Sequence, residues 1–473
     1  MVEVGTGREI GTSMTRSHKK SKVAIVQGHS DPAGGHLCHA LVDAYSDGVS
    51  SQTEVTQNPD KPFAQVEKSW KGRISRSIMR RVLRTIGNPR IAIQLGNHLL
   101  TENDVTATPS RVILRDFRTL LKLARDPLFQ FGEAYTNGTL EVDGDLSKVL
   151  ALIYQAQMRG SGRGSIIERL IRYCQSFDRN TLAGSRNNIQ HHYDLGNSFY
   201  RLWLDEQLVY TCAYFAGMTD TLERAQQAKM ELICRKLQLQ PGEVVVEAGC
   251  GWGALAIYMA MNYGVRVHAF NISREQIQFA RQRVHDVGLE GRVFFAEGDW
   301  REINLSCDAF VSVGMLEHVG TVNYPQLGEV IRRCLKPNGR GLLHSIGQVH
   351  PIPLNPWIER RIFPGAYPPT LTQIVGLLEP NDFTILDVEN LRLHYAMTLK
   401  HWLSRFEAAA ITVADQFDDS FVRMWRLYLV GSMAAFESGA LQLFQVLFSQ
   451  GSNNAIRWTR KGIYQASLGT KGN

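Results

Sequence analysis

The stretch VVVEAGCGWGAL, residues 244–255, decides how this chain is read. A short apolar run closes on Glu247, and glycines at 249, 251 and 253 lead into a helical pattern. A buried strand that ends in a glycine turn and opens a helix lets backbone approach a ligand closely and offers it unpaired helical N–H groups. A dinucleotide-binding turn has GxGxxG; here the third glycine comes one place earlier and an acid precedes the loop. Working outward, a helix is expected over 219–237 and another over 252–262, followed by the strand VRVHAF. A helix over 273–287, the strands RVFFAEG and CDAFVSVG, a helix over 324–335 and the strand GRGLLHSIG continue the pattern. Strands alternating with helices of this length predict an α/β, doubly wound parallel sheet. A mostly helical tail over 398–450 closes it.

The chain has 473 residues, 44% apolar and 21% charged, which excludes wholesale disorder and a fibrous repeat. Lys plus Arg is 52 against 45 Asp plus Glu, a formal charge of +7 that suits an acidic partner surface without choosing between lipid and nucleic acid. The 7 cysteines form no CxxC pair and no Cys/His ligand run, so neither a disulfide scaffold nor a metal site is expected. Free thiols and the lack of an N-terminal apolar segment point to a cytoplasmic protein. Residues 427–448, LYLVGSMAAFESGALQLFQVLF, are nearly long enough to span a bilayer. Glu437 near the middle and four Ser or Gln residues favour a buried soluble helix instead.

Residues 1–60, rich in Gly, Ser, Thr and His with basic residues at 16–22, read as a disordered basic leader. Over 71–87, KGRISRSIMRRVLRTIG, apolar Ile74, Ile78, Val82, Leu83 and Ile86 recur near a helical period among five arginines. Such a helix lies on an anionic membrane or packs on its own domain. RIAIQL followed by SRVILRDF predicts a hairpin or meander, and turns at Asn137-Gly138 and Asp143-Gly144 lead into a helix. A small α+β domain is expected over 61–160, with a Gly/Ser/Arg-rich linker over 161–186.

Beyond Glu247, the next two strand ends also carry ligand-type residues. Asn271-Ile272 stands where a ribose-reading group sits, and Asp299-Trp300 where an acid can accept from adenine and a ring can cover it. The tight glycine spacing and preceding acid resemble motif I of class I methyltransferases, which bind S-adenosylmethionine.

Further motifs follow in order: HHYDLGNSFYRLWLDEQLVYTCAYF (191–215), GMLEHVG (314–320), LLHSIG (342–347), RIFPGAYPPT (361–370) and HYAMTLKHW (394–402). Together they resemble the cyclopropane-fatty-acyl-phospholipid synthase family, which includes the mycolic acid cyclopropane synthases, over about residues 70–450. FGEAYTNGTLEVDGDL looks like that family's N-terminal lipid-binding domain. The resemblance implies a class I methyltransferase domain over 187–460, a smaller lipid-binding domain before it, and a helical C-terminal tail. It implies methylene transfer from S-adenosylmethionine to a cis double bond of an unsaturated phospholipid acyl chain, with bound bicarbonate as the base. By motif match, Cys212, Glu317, His344, Ile346 and Tyr395 would surround the bicarbonate. Tyr210, Thr211, Glu247, Gly249, Gly251, Asn271, Ile272, Gln276, Asp299 and Trp300 would bind the donor.

The chemistry suits these residue types. Methyl transfer leaves a carbocation on the chain, so the site must exclude water and offer aromatic faces; Tyr193, Phe215, Tyr395 and Trp402 are candidates. A held bicarbonate is then positioned to take the proton, with Glu317 accepting from it and His344 and Tyr395 donating to it. Three positions depart from the family pattern: Ala396 replaces an acid, Ala366–Pro368 alter a glycine-containing loop, and Asn271 replaces a threonine. These leave open an acyl-chain methyltransferase giving a methylene or methyl branch, and a small-molecule N-methyltransferase of the same fold. The expected partner is phospholipid at the inner face of the membrane, with peripheral association and a homodimer through the apolar tail. No nucleic acid is expected, since no target-base motif appears.

Overall fold

The computed structural model describes residues 70–101, 110–160 and 195–464. The leader at 1–60, the linker at 161–186 and Tyr193 lie outside them.

Two sheets organise the chain. The smaller has strands β1 (Ala92–Leu95), β2 (His98–Leu99), β3 (Arg111–Leu114) and β4 (Leu140–Asp143), in the order β2-β1-β3-β4. Helices α1 (Trp70–Thr85), α2 (Phe117–Arg125), α3 (Pro127–Thr136) and α4 (Leu146–Gly160) accompany it. β1 and β3 run parallel, so RIAIQL and SRVILRDF are not the hairpin expected from sequence. The antiparallel partner of β1 is the two-residue β2, reached through a turn at Gly96, and β3 takes the opposite edge. α1 forms as predicted, but it buries Gly72, Ser75, Met79, Val82 and Leu83 and leaves Ile74 exposed.

The larger sheet follows helix α5 (Asn197–Tyr200) and helix α6 (Leu222–Leu237). Its strands are β5 (Val244–Ala248), β6 (Arg266–Asn271), β7 (Val293–Glu297), β8 (Cys307–Val313), β9 (Leu335–Gln348), β10 (Phe383–Asn390) and β11 (Leu441–Gln450). The order is β10-β11-β9-β8-β5-β6-β7. Helices α7 (Ala254–Tyr263), α8 (Arg274–Asp286) and α9 (Tyr324–Cys334) connect the parallel strands β5 to β9. Among the parallel strands β5 is central, with β6 on one side and β8 on the other; the reversal of strand order there opens a crevice at the carboxyl ends.

The C-terminal region corrects the helical-tail reading. After α10 (Pro356–Arg361), α11 (Leu371–Leu378), α12 (Arg392–Ala408) and α13 (Ala410–Gln416), helix α14 covers Asp419–Ser438. Gly439, at φ +82°, ends it in the left-handed conformation, and the chain returns as β11, antiparallel to both β9 and β10. α15 (Lys461–Tyr464) is the last described element. The apolar run 427–448 is therefore half helix and half strand. Periodicity cannot separate a buried helix from a strand covered on both faces, and β11 is buried along nearly its whole length. Among the described residues no helix is long and apolar enough to cross a membrane. The apolar side chains of 427–448 pack inside this chain, against α4, α12 and the sheet.

One apolar core joins the two sheets' layers. Leu120, Leu140, Val149 and Ile153 pack in the same cluster as Trp203, Trp402, Trp425 and Phe436. α14 touches both α3 and α4, and Arg423 donates to the Tyr135 and Leu140 carbonyls. Gly132 of α3 faces Trp357 of α10, and a Cβ there would stand 2.3 Å from Trp357 Cγ. Gly132→Ala is expected to cost about 1–3 kcal/mol of stability through overpacking, read as a lowered Tm.

Candidate active site

The glycine loop is built by backbone conformation. Gly249, Gly251 and Gly253 have φ of +85°, +52° and +80°. Gly249 and Cys250 both donate N–H to the Phe270 carbonyl, at 2.9 and 3.1 Å, which pins the loop to the end of β6. A Cβ on Gly253 would lie 2.5 Å from Phe295 Cζ, so this glycine lets α7 approach β7 closely. One cavity opens above the loop. All ten residues expected to bind the donor line it: Tyr210, Thr211, Glu247, Gly249, Gly251, Asn271, Ile272, Gln276, Asp299 and Trp300.

Several of these are fixed by a neighbour. Asn271 Nδ2 donates to Gly251 O at 3.3 Å and to Gln276 Oε1 at 2.7 Å. Asp299 accepts from Arg301 N at 2.9 Å and from its guanidinium at 3.0 Å, and that guanidinium lies over the Trp300 ring. The Tyr210 hydroxyl bonds to that of Tyr428 at 2.7 Å. Lys229 Nζ donates to Thr211 Oγ1 at 3.0 Å. Burial pushes Glu247 up to about 8, with Lys229 opposing, and burial takes Lys229 down to about 8.

The five residues assigned to the reaction do not line this cavity; they lie on the segments beside it. Glu317 sits in a short turn after β8, buried, and its Oε1 accepts from Ile346 N at 2.6 Å. Its Oε2 has no hydrogen-bond partner among the described residues, and burial pushes the carboxyl up to about 7. His344 stands two residues before Ile346 on β9, on the same face of the strand. Its Nδ1 accepts from Gln445 Nε2 at 3.0 Å, which places the ring proton on Nε2. That Nε2 is buried without a partner, and burial holds the ring neutral, far below its ordinary value. Cys212 and Tyr395 meet at Leu391, whose carbonyl accepts from Cys212 Sγ at 3.9 Å and from Tyr395 N at 3.2 Å. Leu391 N in turn donates to Leu443 O, and Leu443 is the register partner of Ile346. Burial raises the Cys212 thiol well above its ordinary value, so it is no nucleophile.

Aromatic rings fill the space between. Trp203, Trp402 and Tyr200 lie 5.2, 5.3 and 5.6 Å from the Tyr210 ring. Tyr395 stacks on Phe436 and meets Trp402 edge-on, while Phe215 stacks on His401. Of the expected cation-facing residues, Phe215, Tyr395 and Trp402 are thus brought into this region.

Sequence reasoning missed Lys229, Gln445 and Tyr428. Lys229 had a usable signal: it falls among Leu222, Ala225, Met230 and Ile233 on the buried face of a helix, where a charge is unusual. Gln445 had none, because its strand was read as helix.

The mycolic acid cyclopropane synthetase family profile matches residues 181–446, and a domain of unknown function (DUF7884) matches residues 82–161. The chain belongs to the mycolic acid cyclopropane synthetase family. It is 37% identical over 376 residues to the cyclopropane-fatty-acyl-phospholipid synthase of Escherichia coli K12, covering 78% of this chain and 96% of that one. It is 31% identical to the tuberculostearic acid methyltransferase UfaA1 of Mycobacterium tuberculosis, covering 75% and 89%. Among solved structures, mycolic acid cyclopropane synthase CmaA1 complexed with SAH and CTAB matches at 30% identity and a TM-score of 0.54, covering 56% of this chain and 98% of that one. This family member is a class I, S-adenosylmethionine-dependent methyltransferase.

Proposed function

We propose that the enzyme transfers a methylene unit from S-adenosylmethionine to a cis double bond of an unsaturated phospholipid acyl chain and closes a cyclopropane ring, with bicarbonate held as the base. The observation that supports this reading is that Glu317 Oε2 and His344 Nε2 are both buried without a partner among the described residues, while Glu317 is tied to Ile346 N, two residues along β9 from His344. A buried acceptor and a buried donor without partners are costly unless a small polar guest satisfies both. Bicarbonate fits, since it carries one hydroxyl for the carboxylate and oxygens for the imidazole N–H. When bound, it supplies a compact base for the proton that leaves the acyl chain.

The chain's own residues do the rest. Tyr210, which lines the cavity and packs against Trp203 and Trp402, offers a π face to a developing cation. Their packing excludes the water that would trap it. Glu317, held by Ile346 N, accepts rather than donates once ionised. His344, fixed by Gln445, donates through Nε2.

The test is incubation with labelled donor and unsaturated phospholipid vesicles, with and without bicarbonate. The expected result is a lipid product heavier by one CH2 with upfield ring protons by NMR, formed faster with bicarbonate. No lipid labelling by protein that still binds donor overturns the reading. A second reading, a methylene or methyl branch, is favoured by Ala396: where the family carries an acid, this chain buries a methyl group beside Tyr395. Vinylidene protons or a saturated branch in the same spectrum select it.

The lipid is reached from a bilayer surface, and the α1–α2 face fits one. Trp70, Ile74, Phe117 and Leu121 are 61%, 43%, 43% and 47% exposed, among exposed Arg73, Arg118 and Lys122 on two helices that pack together. Apolar wedges among basic residues favour an anionic interface, here the inner face of the membrane. Replacing those four apolar residues by serine is expected to abolish co-flotation with phosphatidylglycerol vesicles at low salt and leave S-adenosylhomocysteine binding intact. Undiminished flotation counts against this face.

A further inference from the structure

Helix α6 grips the segment that forms one wall of the donor cavity. Gln226 and Lys229, three residues apart, share its buried face. Gln226 Nε2 donates to the Val209 and Thr211 carbonyls, at 3.1 and 2.8 Å. Lys229, 2% exposed and lining the cavity, donates to Thr211 Oγ1. The neighbouring carboxylates do not neutralise it by contact: Asp205 spends its oxygens on Gln207 N and Val209 N, and Glu247 forms no ion pair with it among the described residues. A buried ammonium left in this state is costly and is poised for an anion.

A threonine hydroxyl has a single proton. Because Thr211 Oγ1 accepts from Lys229, its own O–H remains to donate, and Thr211 lines the cavity. The methyl donor carries one anionic group, the carboxylate of its amino-acid end. We propose that Lys229 is a positioning residue for the methyl donor: by donating to Thr211 it turns the threonine proton toward that carboxylate, and its buried charge compensates the carboxylate's own. The same contact explains why a lysine, with donors and no acceptor, stands at this point of the buried helix face. A second neutral amide in place of Lys229 would still hold the segment but would not offset an anion.

The test compares two ligands by calorimetry on the whole chain. S-adenosylhomocysteine has the amino-acid end; 5′-methylthioadenosine shares the adenosine and sulfur but lacks it. Lys229→Met is expected to weaken S-adenosylhomocysteine by roughly 10- to 100-fold, as for loss of a charge-assisted bond. It should leave 5′-methylthioadenosine unchanged. Lys229→Gln, which keeps an N–H for Thr211 without the charge, is expected to fall between. Thr211→Val should show the same ligand selectivity, and the double variant should be weaker than either single one by less than the product of their effects. Equal weakening of both ligands means that Lys229 merely holds the fold, and overturns the proposal. So does a double variant whose effects multiply. If Lys229→Met does not fold by thermal melting, Lys229→Gln and Thr211→Val carry the same ligand comparison.

Discussion

Replacing Glu317 by glutamine is expected to cut lipid product formation by about 10²–10⁴-fold, the range for losing a positioned acid–base group, while donor affinity stays at the wild-type level. The substitution keeps the shape and the Oε1 acceptor for Ile346 N, so the turn after β8 is retained. What it removes is the ionised Oε2, the buried acceptor with no partner among the described residues. Wild-type activity should also fall as pH drops below about 7, where Glu317 takes up a proton. The glutamine variant's residual rate should be flat across that range.

Stability should move the other way. Burial raises Glu317 from an ordinary carboxyl value of 4.5 to about 7. Between those two values the folded state binds more protons than the unfolded one, so this group's contribution to stability is present at low pH and is lost as pH rises through about 7. The cost of the buried charge is complete above that point, on the order of 3 kcal/mol from the shift. Glutamine carries no such cost. The variant's Tm should therefore match or exceed wild type at pH 8, with the advantage shrinking toward pH 5. A variant that loses both activity and Tm at pH 8 would mean that Glu317 is a structural group.

How much of this was legible follows the physics of each element. That these residues share one cavity was readable because they are local: three glycines in one turn, and a polar or acidic group at the end of each neighbouring strand. Parallel topology brings consecutive strand ends together, so adjacency in pattern becomes adjacency in space. The reaction residues were placed only through motif resemblance, because Cys212, Glu317, His344 and Tyr395 come from four distant segments, and no spacing rule joins them. The tail was misread where the signal is degenerate. LQLFQVLF is apolar at nearly every second position and in between, and only Gly439 marks the switch from helix to strand. That misreading hid Gln445, whose amide sets the His344 tautomer from the register partner position on β11. Similarly, the parallel pairing of β1 and β3 depends on which edge of β1 the two-residue β2 occupies, a tertiary choice invisible in either segment alone.

Gly249→Ala is expected to weaken S-adenosylhomocysteine binding by at least about 100-fold, because the glycine is required by conformation and by space at once. Its φ of +85° is one that an L side chain enters at a cost of roughly 1–2 kcal/mol. A Cβ there would stand 2.9 Å from Met315 Cβ, so either the loop or the Met315 segment must move. Both line the cavity above the glycine loop, and Met315 lies two residues before Glu317. Gly242 separates the two effects. It has the same φ of +85°, at the turn before β5, but nothing lies within 4 Å of a Cβ built on it. Gly242→Ala should therefore show the backbone cost alone, a lowered Tm with unchanged S-adenosylhomocysteine affinity. Gly249→Ala should show a comparable or larger drop in Tm together with loss of binding. If the two variants lose affinity equally, the loop's close approach to Met315 is not what shapes the cavity. If Gly249→Ala binds normally, the glycine turn serves strand–helix packing rather than the donor.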